Sequence, residues 1–191
     1  MQEAWVWYLQ QVTMTRDMYC MNAVGTTPGV QKTLTDLLIP SLLYIRLGSL
    51  FDEGLELYIA SNRKSLPGNF RDNLNGRIER LAKHSKLTDG SALHAIRNRR
   101  NQVAHESPPA VDSISTFVTW DELDAAIAKV TSVLTALAVI VPSPPFQFYF
   151  ERIPLSYEPL TFEWNYGIKV NGEWITKFSR TLTYGRLGSS S

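Results

Sequence analysis

The chain has 191 residues, of which 44% are hydrophobic and 19% charged, and its formal net charge is +1. This composition predicts a globular protein with an ordinary core. The longest apolar run, VLTALAVIV at 133–141, is under half of the ~20 residues that cross a bilayer, which excludes a membrane span. The N-terminus lacks the pattern of a secretory signal and the single Cys20 cannot form an internal disulfide, so we expect a cytoplasmic protein.

Apolar residues at helical spacing predict four helices in the first half of the chain, and turns rich in glycine, proline and serine separate them. The long second segment is one helix or two, because Pro40 can kink or divide it. The predicted helices span 3–22, 30–60, 70–84 and 93–105. The predicted breaks are VGTTPG at 24–29, SLPGN at 65–69, the connection at 85–90 and SPPAVD at 107–112.

A capping box predicts the start of a fifth helix, with Thr119 as the cap and Glu122 three residues later. Apolar residues then recur at alternating spacings of four and three, which predicts about five helical turns. This apolar stripe would face a bundle core or a second subunit. Its members are Leu123, Ile127, Val130, Leu134, Leu137 and Val141.

The pattern changes after PSPP at 142–145 to aromatic segments with alternating polarity. Asn171-Gly172 lies between two of them and is a strong hairpin signal, so we predict a small antiparallel sheet over 146–184. The fold class is therefore mainly α. We expect a bundle of about five helices over 1–141, a β appendage over 142–184 packed on the bundle or at an interface, and a disordered tail over 185–191.

Positive charge is concentrated in residues 60–105, where ten basic residues against three acids give +7. The remainder carries nine basic residues against fifteen acids, or −6, and all three histidines lie in the positive block. Such a block is the electrostatic footprint of a phosphate-binding protein. The alternative is a solvated helix face whose charges pair with acids elsewhere in the chain.

The fourth predicted helix places Arg100 in the middle of an apolar face formed by Leu93, Ile96, Val103 and Ala104. Burying an unpaired guanidinium costs several kcal/mol. Arg100 therefore either reaches the surface, pairs with an internal acid, or borders a cleft or subunit interface that binds an anion. The candidate acids are Asp36, Asp52 and Glu56.

Arg100 and His105 are separated by about 140° around an ideal helix, so they do not share one face. Two arrangements would let them act together. The helix can loosen near its C-terminal end, which Pro108 and Pro109 favour, or two copies of the helix can meet across a dimer.

The segment IRNRRNQVAH at 96–105 resembles the signature of HEPN domains, in which arginine, a polar residue and, a few residues later, histidine lie on one helix of an α-helical bundle. Here Arg100 and Asn101 begin the motif and His105 ends it. The preceding stretch NFRDNLNGRIERLAKHSKLTDGSALHAI is also similar to the approach to that motif. The resemblance covers roughly residues 1–140 and leaves the β segment without a match.

Many HEPN domains are metal-independent ribonucleases that act as dimers, often as toxins or anti-phage effectors. The resemblance therefore implies an endoribonuclease in which Arg100 and His105 act on a phosphodiester and Asn101 orients the histidine or contacts phosphate. The expected products are a 2′,3′-cyclic phosphate and a 5′-OH, with no metal or other cofactor. Arg97, Arg99 and His94 would contact the RNA, in a homodimer with a composite active site.

The resemblance also leaves room for an antitoxin or a defence-system partner. Some HEPN toxins carry a tyrosine two residues after the histidine, where a partner nucleotidyltransferase modifies them. Here Glu106 and Ser107 follow His105, so that type of partner is less expected.

Two other interpretations remain open. The first is a catalytically inactive HEPN-type module that binds a nucleotide or RNA or supports a protein interaction. The second is a structural bundle whose resemblance is accidental and whose aromatic sheet docks another protein. The motifs of α/β-hydrolases, phosphate-loop enzymes and zinc metalloproteases are absent from the sequence, as is a Cys/His cluster typical of zinc.

Overall fold

The computed structural model describes residues 1–22, 38–87, 89–105, 117–157 and 160–184. Within these ranges the chain forms five α-helices and a three-stranded antiparallel sheet, which confirms the mainly α prediction with a C-terminal β segment. The elements are α1 (Gln2–Asn22), α2 (Ile39–Ser61), α3 (Leu74–Lys83), α4 (Gly90–His105), α5 (Trp120–Ala136), β1 (Gln147–Tyr157), β2 (Leu160–Val170) and β3 (Glu173–Tyr184). The predictions for 24–29, 107–112 and 185–191 fall outside the described residues.

The chain divides into two compact units. One unit contains Met1–Tyr8 and Tyr19–Pro142, and the other contains Leu9–Met18 and Ser143–Ser191. Since α1 is one continuous helix, it contributes residues to both units.

The helix α2 is central to the first unit, because it contacts α3, α4 and α5. Its residues Leu47, Leu50, Phe51 and Leu55 are at most 1% exposed. Pro40 lies in the first turn, where a backbone N–H has no partner within the helix, so the helix begins there without strain. None of the helices described is both apolar enough and long enough to span a bilayer.

The helix α3 is shorter than the predicted segment 70–84. It begins at Leu74 because Asn73 caps it, with the Asn73 Oδ1 accepting a hydrogen bond from the Gly76 N–H at 2.9 Å. Phe70 therefore lies before the helix instead of on its apolar face. A Cβ at Gly76 would collide with the Arg71 carbonyl oxygen, so the segment before α3 folds closely over its first turn.

The predicted cap of α5 is confirmed, since Thr119 Oγ1 accepts a hydrogen bond from the Glu122 N–H at 3.2 Å. The predicted length of about five turns is confirmed by the 17 residues of the helix, but the predicted end of the stripe at Val141 is wrong. The helix ends at Ala136, and Ala138 has a positive φ of 55° that turns the chain away from the helical path. Val141 is consequently 64% exposed, although Leu123 and Leu134 are buried as expected.

The strands are paired in the order β1-β2-β3, as expected for a meander. Asn171 and Gly172 have φ values of 52° and 85° in the β2–β3 turn, which confirms the predicted hairpin. Thr176 on β3 donates a hydrogen bond to Gln10 at 3.1 Å, so the α1 segment of this unit contacts the sheet. The unit is therefore built from segments far apart in the sequence.

Candidate functional site

The helix α4 is fixed at its start by Asp89. Its Oδ1 accepts a hydrogen bond from the Ala92 N–H at 3.2 Å, and its Oδ2 is 2.7 Å from Lys129 Nζ on α5. The bond from Lys129 and then the bond from Ala92 hold the pKa of Asp89 below its ordinary value. These contacts attach α4 to α5 at one end and leave its C-terminal half to be positioned by other residues.

The predicted apolar face of α4 is buried only in its first half. Leu93 and Ile96 are buried, whereas Val103 is half-buried and Ala104 is exposed. The C-terminal half of the helix, which carries the arginine–histidine motif, therefore lies near the surface.

Arg99 is held by other groups of the protein. Its Nε and Nη2 donate to the two carboxylate oxygens of Glu122 at 2.6 and 3.2 Å, and Nη2 also donates to the Phe117 carbonyl at 2.7 Å. Its Nη1 donates to Gln102 Oε1 at 2.9 Å. These bonds join α4 to the start of α5, so the expected contact between Arg99 and RNA has no support in this arrangement.

Arg100 has a different environment. Its aliphatic stem lies against Gly48 on α2, where a Cβ would be 2.7 Å from Arg100 Cγ. Its Nη1 donates to Asn101 Oδ1 at 3.1 Å. No described carboxylate binds it, because Asp52 and Glu56 bind another arginine, and Asp36 is outside the described residues. Arg100 is therefore half-buried with no described acid to offset its charge.

Arg77 is the arginine that the internal acids bind, and the sequence analysis missed it. Its side chain is 10% exposed and forms ion pairs with Asp52 at 2.5 Å, Glu56 at 3.0 Å and Asp72 at 2.8 Å. The signal was present, since Arg77 follows Leu74 by three residues and lies on the apolar face of α3. A helical wheel of α3 places Arg77 among apolar residues, just as the wheel of α4 places Arg100.

A cleft of about 320 Å³ is formed between α2, the N-terminal end of α3 and α4. We call it the Arg100 cleft. Its lining residues are Gly48, Ser49, Asp52, Asn73, Leu74, Asn75, Arg97, Arg100 and Asn101. Three of the expected site residues thus come together there, with Arg97 donating hydrogen bonds to Asn75 and Asn98.

The two expected site histidines do not line the Arg100 cleft. His105 is the last residue of α4 and is exposed, and His94 is half-buried about three turns earlier. Neither forms a hydrogen bond with a described residue, whereas His84 Nε2 lies 2.9 Å from the Pro67 carbonyl oxygen. Helical geometry puts His105 about 7.5 Å along the axis from Arg100 and about 140° around it.

The cleft has an excess of positive charge. It contains the guanidinium groups of Arg97 and Arg100 and the carboxylate of Asp52, which is already bound by Arg77. Amide groups of Asn73, Asn75 and Asn101 supply further polar atoms. Among the described residues, no three or more His, Cys, Asp or Glu side chains are grouped so as to hold a metal ion. The chemistry of the cleft is therefore suited to a bound anion.

Searches against protein-family models, curated proteins and solved structures found no match to this chain. The candidate site is accordingly defined by the residues described above: Arg100, Asn101 and Arg97 in the cleft, with His105 exposed at the end of the same helix.

Proposed function

We propose that this chain is a metal-independent endoribonuclease of the HEPN type that acts as a homodimer. The observation that carries the proposal is the state of Arg100. Its guanidinium lies in a polar cleft, bonded to Asn101, with no described carboxylate to neutralise it. A permanently charged planar group with unused donors binds a phosphodiester well.

The chemistry uses the 2′-OH of RNA as the nucleophile. One histidine removes the 2′-OH proton, O2′ attacks the adjacent phosphorus, and the P–O5′ bond breaks as a second histidine protonates O5′. The products are a 2′,3′-cyclic phosphate and a 5′-OH. Arg100 stabilises the additional negative charge of the transition state, and Asn101 positions the phosphate or the histidine. The mechanism does not require a metal ion.

A second copy of the chain brings a histidine and Arg100 to the same phosphate. Within one helix, Arg100 and His105 point about 140° apart, so a single copy cannot direct both at one phosphate. Val103 is half-buried and Ala104 is exposed near the end of α4, and a second α4 would cover both. Two helices related by a two-fold axis bring two histidines to one composite site, one as base and one as acid.

The biological role proposed with this activity is that of a toxin or anti-phage effector, held in check by an antitoxin or another component of a defence system. Expression of the unaltered chain should then arrest bacterial growth, and H105A should relieve the arrest.

The test is cleavage of RNA by the purified protein in excess EDTA, with the ends analysed for a 2′,3′-cyclic phosphate and a 5′-OH. H105A should reduce the rate by about 10²–10⁴-fold, the usual contribution of general acid–base catalysis. H84Q is the matched control, because His84 lies after α3, with its Nε2 2.9 Å from the Pro67 carbonyl oxygen, and has no role in the proposed chemistry, so the rate should stay unchanged. Equal rates for H105A and the unaltered chain would contradict the proposal.

The second candidate is a catalytically inactive HEPN-type module that binds RNA or a nucleotide. The observation in its favour is that His105 is not among the residues lining the Arg100 cleft. Such a module would retain RNA intact, lose that binding in R100Q and keep it in H105A. A protein that does not cut RNA and binds neither RNA nor a nucleotide would exclude both candidates.

A further inference from the structure

A second cavity, of about 370 Å³, lies next to the Arg100 cleft along α2. We call it the Arg63 pocket. Its lining residues are Glu56, Ile59, Ala60, Arg63, Phe70, Arg71, Asp72, Gly76, Arg77 and Arg80. Arg77 joins the two cavities, because it binds Asp52 in the Arg100 cleft and Glu56 and Asp72 in the Arg63 pocket.

Arg63 and Arg71 are the cations of this pocket that remain available for a ligand. Both are exposed, and neither forms a hydrogen bond or an ion pair with a described residue. Arg80 donates from Nε to the Leu66 carbonyl at 2.7 Å, and Arg77 is occupied by its acids. The two carboxylates of the pocket, Glu56 and Asp72, are bound by Arg77, which reduces their repulsion of an anion.

Phe70 adds an aromatic surface beside these cations. Its ring is half-buried and lines the pocket, and the Arg80 guanidinium carbon lies 5.9 Å from its centroid. An aromatic ring that lines the same pocket as two unpaired arginines is suited to single-stranded nucleic acid, whose base stacks on the ring while its phosphate pairs with the arginines.

The two cavities follow one face of one helix. Gly48 and Asp52 on this helix line the first, and Glu56 and Ala60 line the second. The distance along α2 from residue 48 to residue 60 is about 18 Å, which a few nucleotides of extended strand can span. Together the cavities contain six arginines and three carboxylates, a net charge of +3. Charge and shape therefore favour a polyanion over a single small ion.

We propose that the Arg63 pocket is a second nucleotide subsite, which binds a base on Phe70 and its phosphate on Arg63 and Arg71 while another phosphate of the same single-stranded RNA lies at Arg100. That the bound RNA is also a substrate rests on the proposed ribonuclease function. That the two cavities bind one RNA strand does not depend on it.

The experiment measures binding of a 5′-fluorescein-labelled 2′-O-methyl oligouridylate of eight nucleotides by fluorescence anisotropy, since methylation removes the nucleophile. R63A/R71A should weaken binding at least about tenfold at low salt and reduce the slope of log K against log salt by about 0.7, the value for one lost phosphate contact on a single strand. F70L should weaken binding without changing this slope.

The matched control is K64A/K86A, which removes the same charge from exposed residues that line neither cavity. It should change the affinity less than twofold. Uridine 5′-monophosphate should compete only at a concentration far above that of the oligonucleotide. Competition at equal concentration would show a mononucleotide site and overturn the strand proposal.

Failure of this inference is distinguishable from failure of the proposed function. If R63A/R71A binds the oligonucleotide like the unaltered chain, or the unaltered chain does not bind it, the subsite is overturned even if RNA is cleaved in a His105-dependent manner. If R63A/R71A weakens binding as expected but natural RNA is never cut, the subsite is supported and the ribonuclease proposal fails.

Discussion

Arg77 and Arg100 interrupt the apolar faces of two different helices, yet their environments are opposite. Arg77 is surrounded by three carboxylates, and Arg100 has Asn101 and no described acid. The difference comes from α2, which presents Gly48, Asp52 and Glu56 at successive turns of one face. The glycine makes room for the stem of Arg100, and the two acids neutralise Arg77. The facing helix α2 thus determines whether an arginine on an apolar face is neutralised by acids, as Arg77 is, or keeps its charge without a described acid, as Arg100 does.

The largest effect should follow from removing Arg77. R77M should lower the free energy of unfolding by about 2–3 kcal/mol, below the range for a fully buried pair because its acid partners are partly exposed. R100M should change it by less than about 0.5 kcal/mol, since its charge has no described partner to lose. Urea denaturation of the two variants measures the contrast. Equal losses would show that the two arginines have the same structural role.

A smaller effect tests the contact between Gly48 and Arg100. Replacing glycine inside a helix with alanine normally stabilises by about 1 kcal/mol. In G48A that gain should be cancelled, because the new Cβ would be 2.7 Å from Arg100 Cγ. In the R100A background the same change should stabilise by about 0.5–1 kcal/mol. A double-mutant cycle measured by thermal unfolding gives the coupling, and a coupling near zero would contradict the close approach.

The smallest effect concerns the half-buried ion pair between Asp89 and Lys129, which lies at the start of α4. Hydrogen bonds from Lys129 and Ala92 lower the pKa of Asp89 in the folded state. A lowered carboxylate pKa stabilises the fold above the unfolded-state value of about 3.9, and this stabilisation is lost as the pH falls through the folded-state pKa. K129M should therefore flatten the stability profile below about pH 4. K86M, which removes an exposed lysine, should leave the profile unchanged.

The helices were predictable because their apolar residues recur at helical spacing, and the errors lie at their ends. The apolar spacing of α5 continues through Val141 in the sequence, but the chain turns at Ala138. The start of α3 was placed too early because Phe70 keeps the spacing, whereas Asn73 supplies the cap. A periodicity describes one face of a helix, and the cap residues determine where that face begins and ends.

The candidate site was predictable in part. The grouping of Arg97, Arg100 and Asn101 follows from their spacing on α4. The partners of the arginines could not be predicted from this spacing, because they belong to other helices. Glu122 was assigned to the cap of α5, but its carboxylate binds Arg99. The separation of Arg100 and His105 was already expected from the helical wheel, and whether a second copy reunites them stays a prediction.

The shared use of α1 has a consequence for synthesis on the ribosome. Residues 9–18 are translated well before the three strands of the sheet with which they form a unit. The hydrogen bond from Thr176 to Gln10 spans 166 positions in the sequence. The α1 segment therefore has part of its surface uncovered until β3 has been translated, and a chain that stops before β3 leaves both this segment and the sheet without their partners.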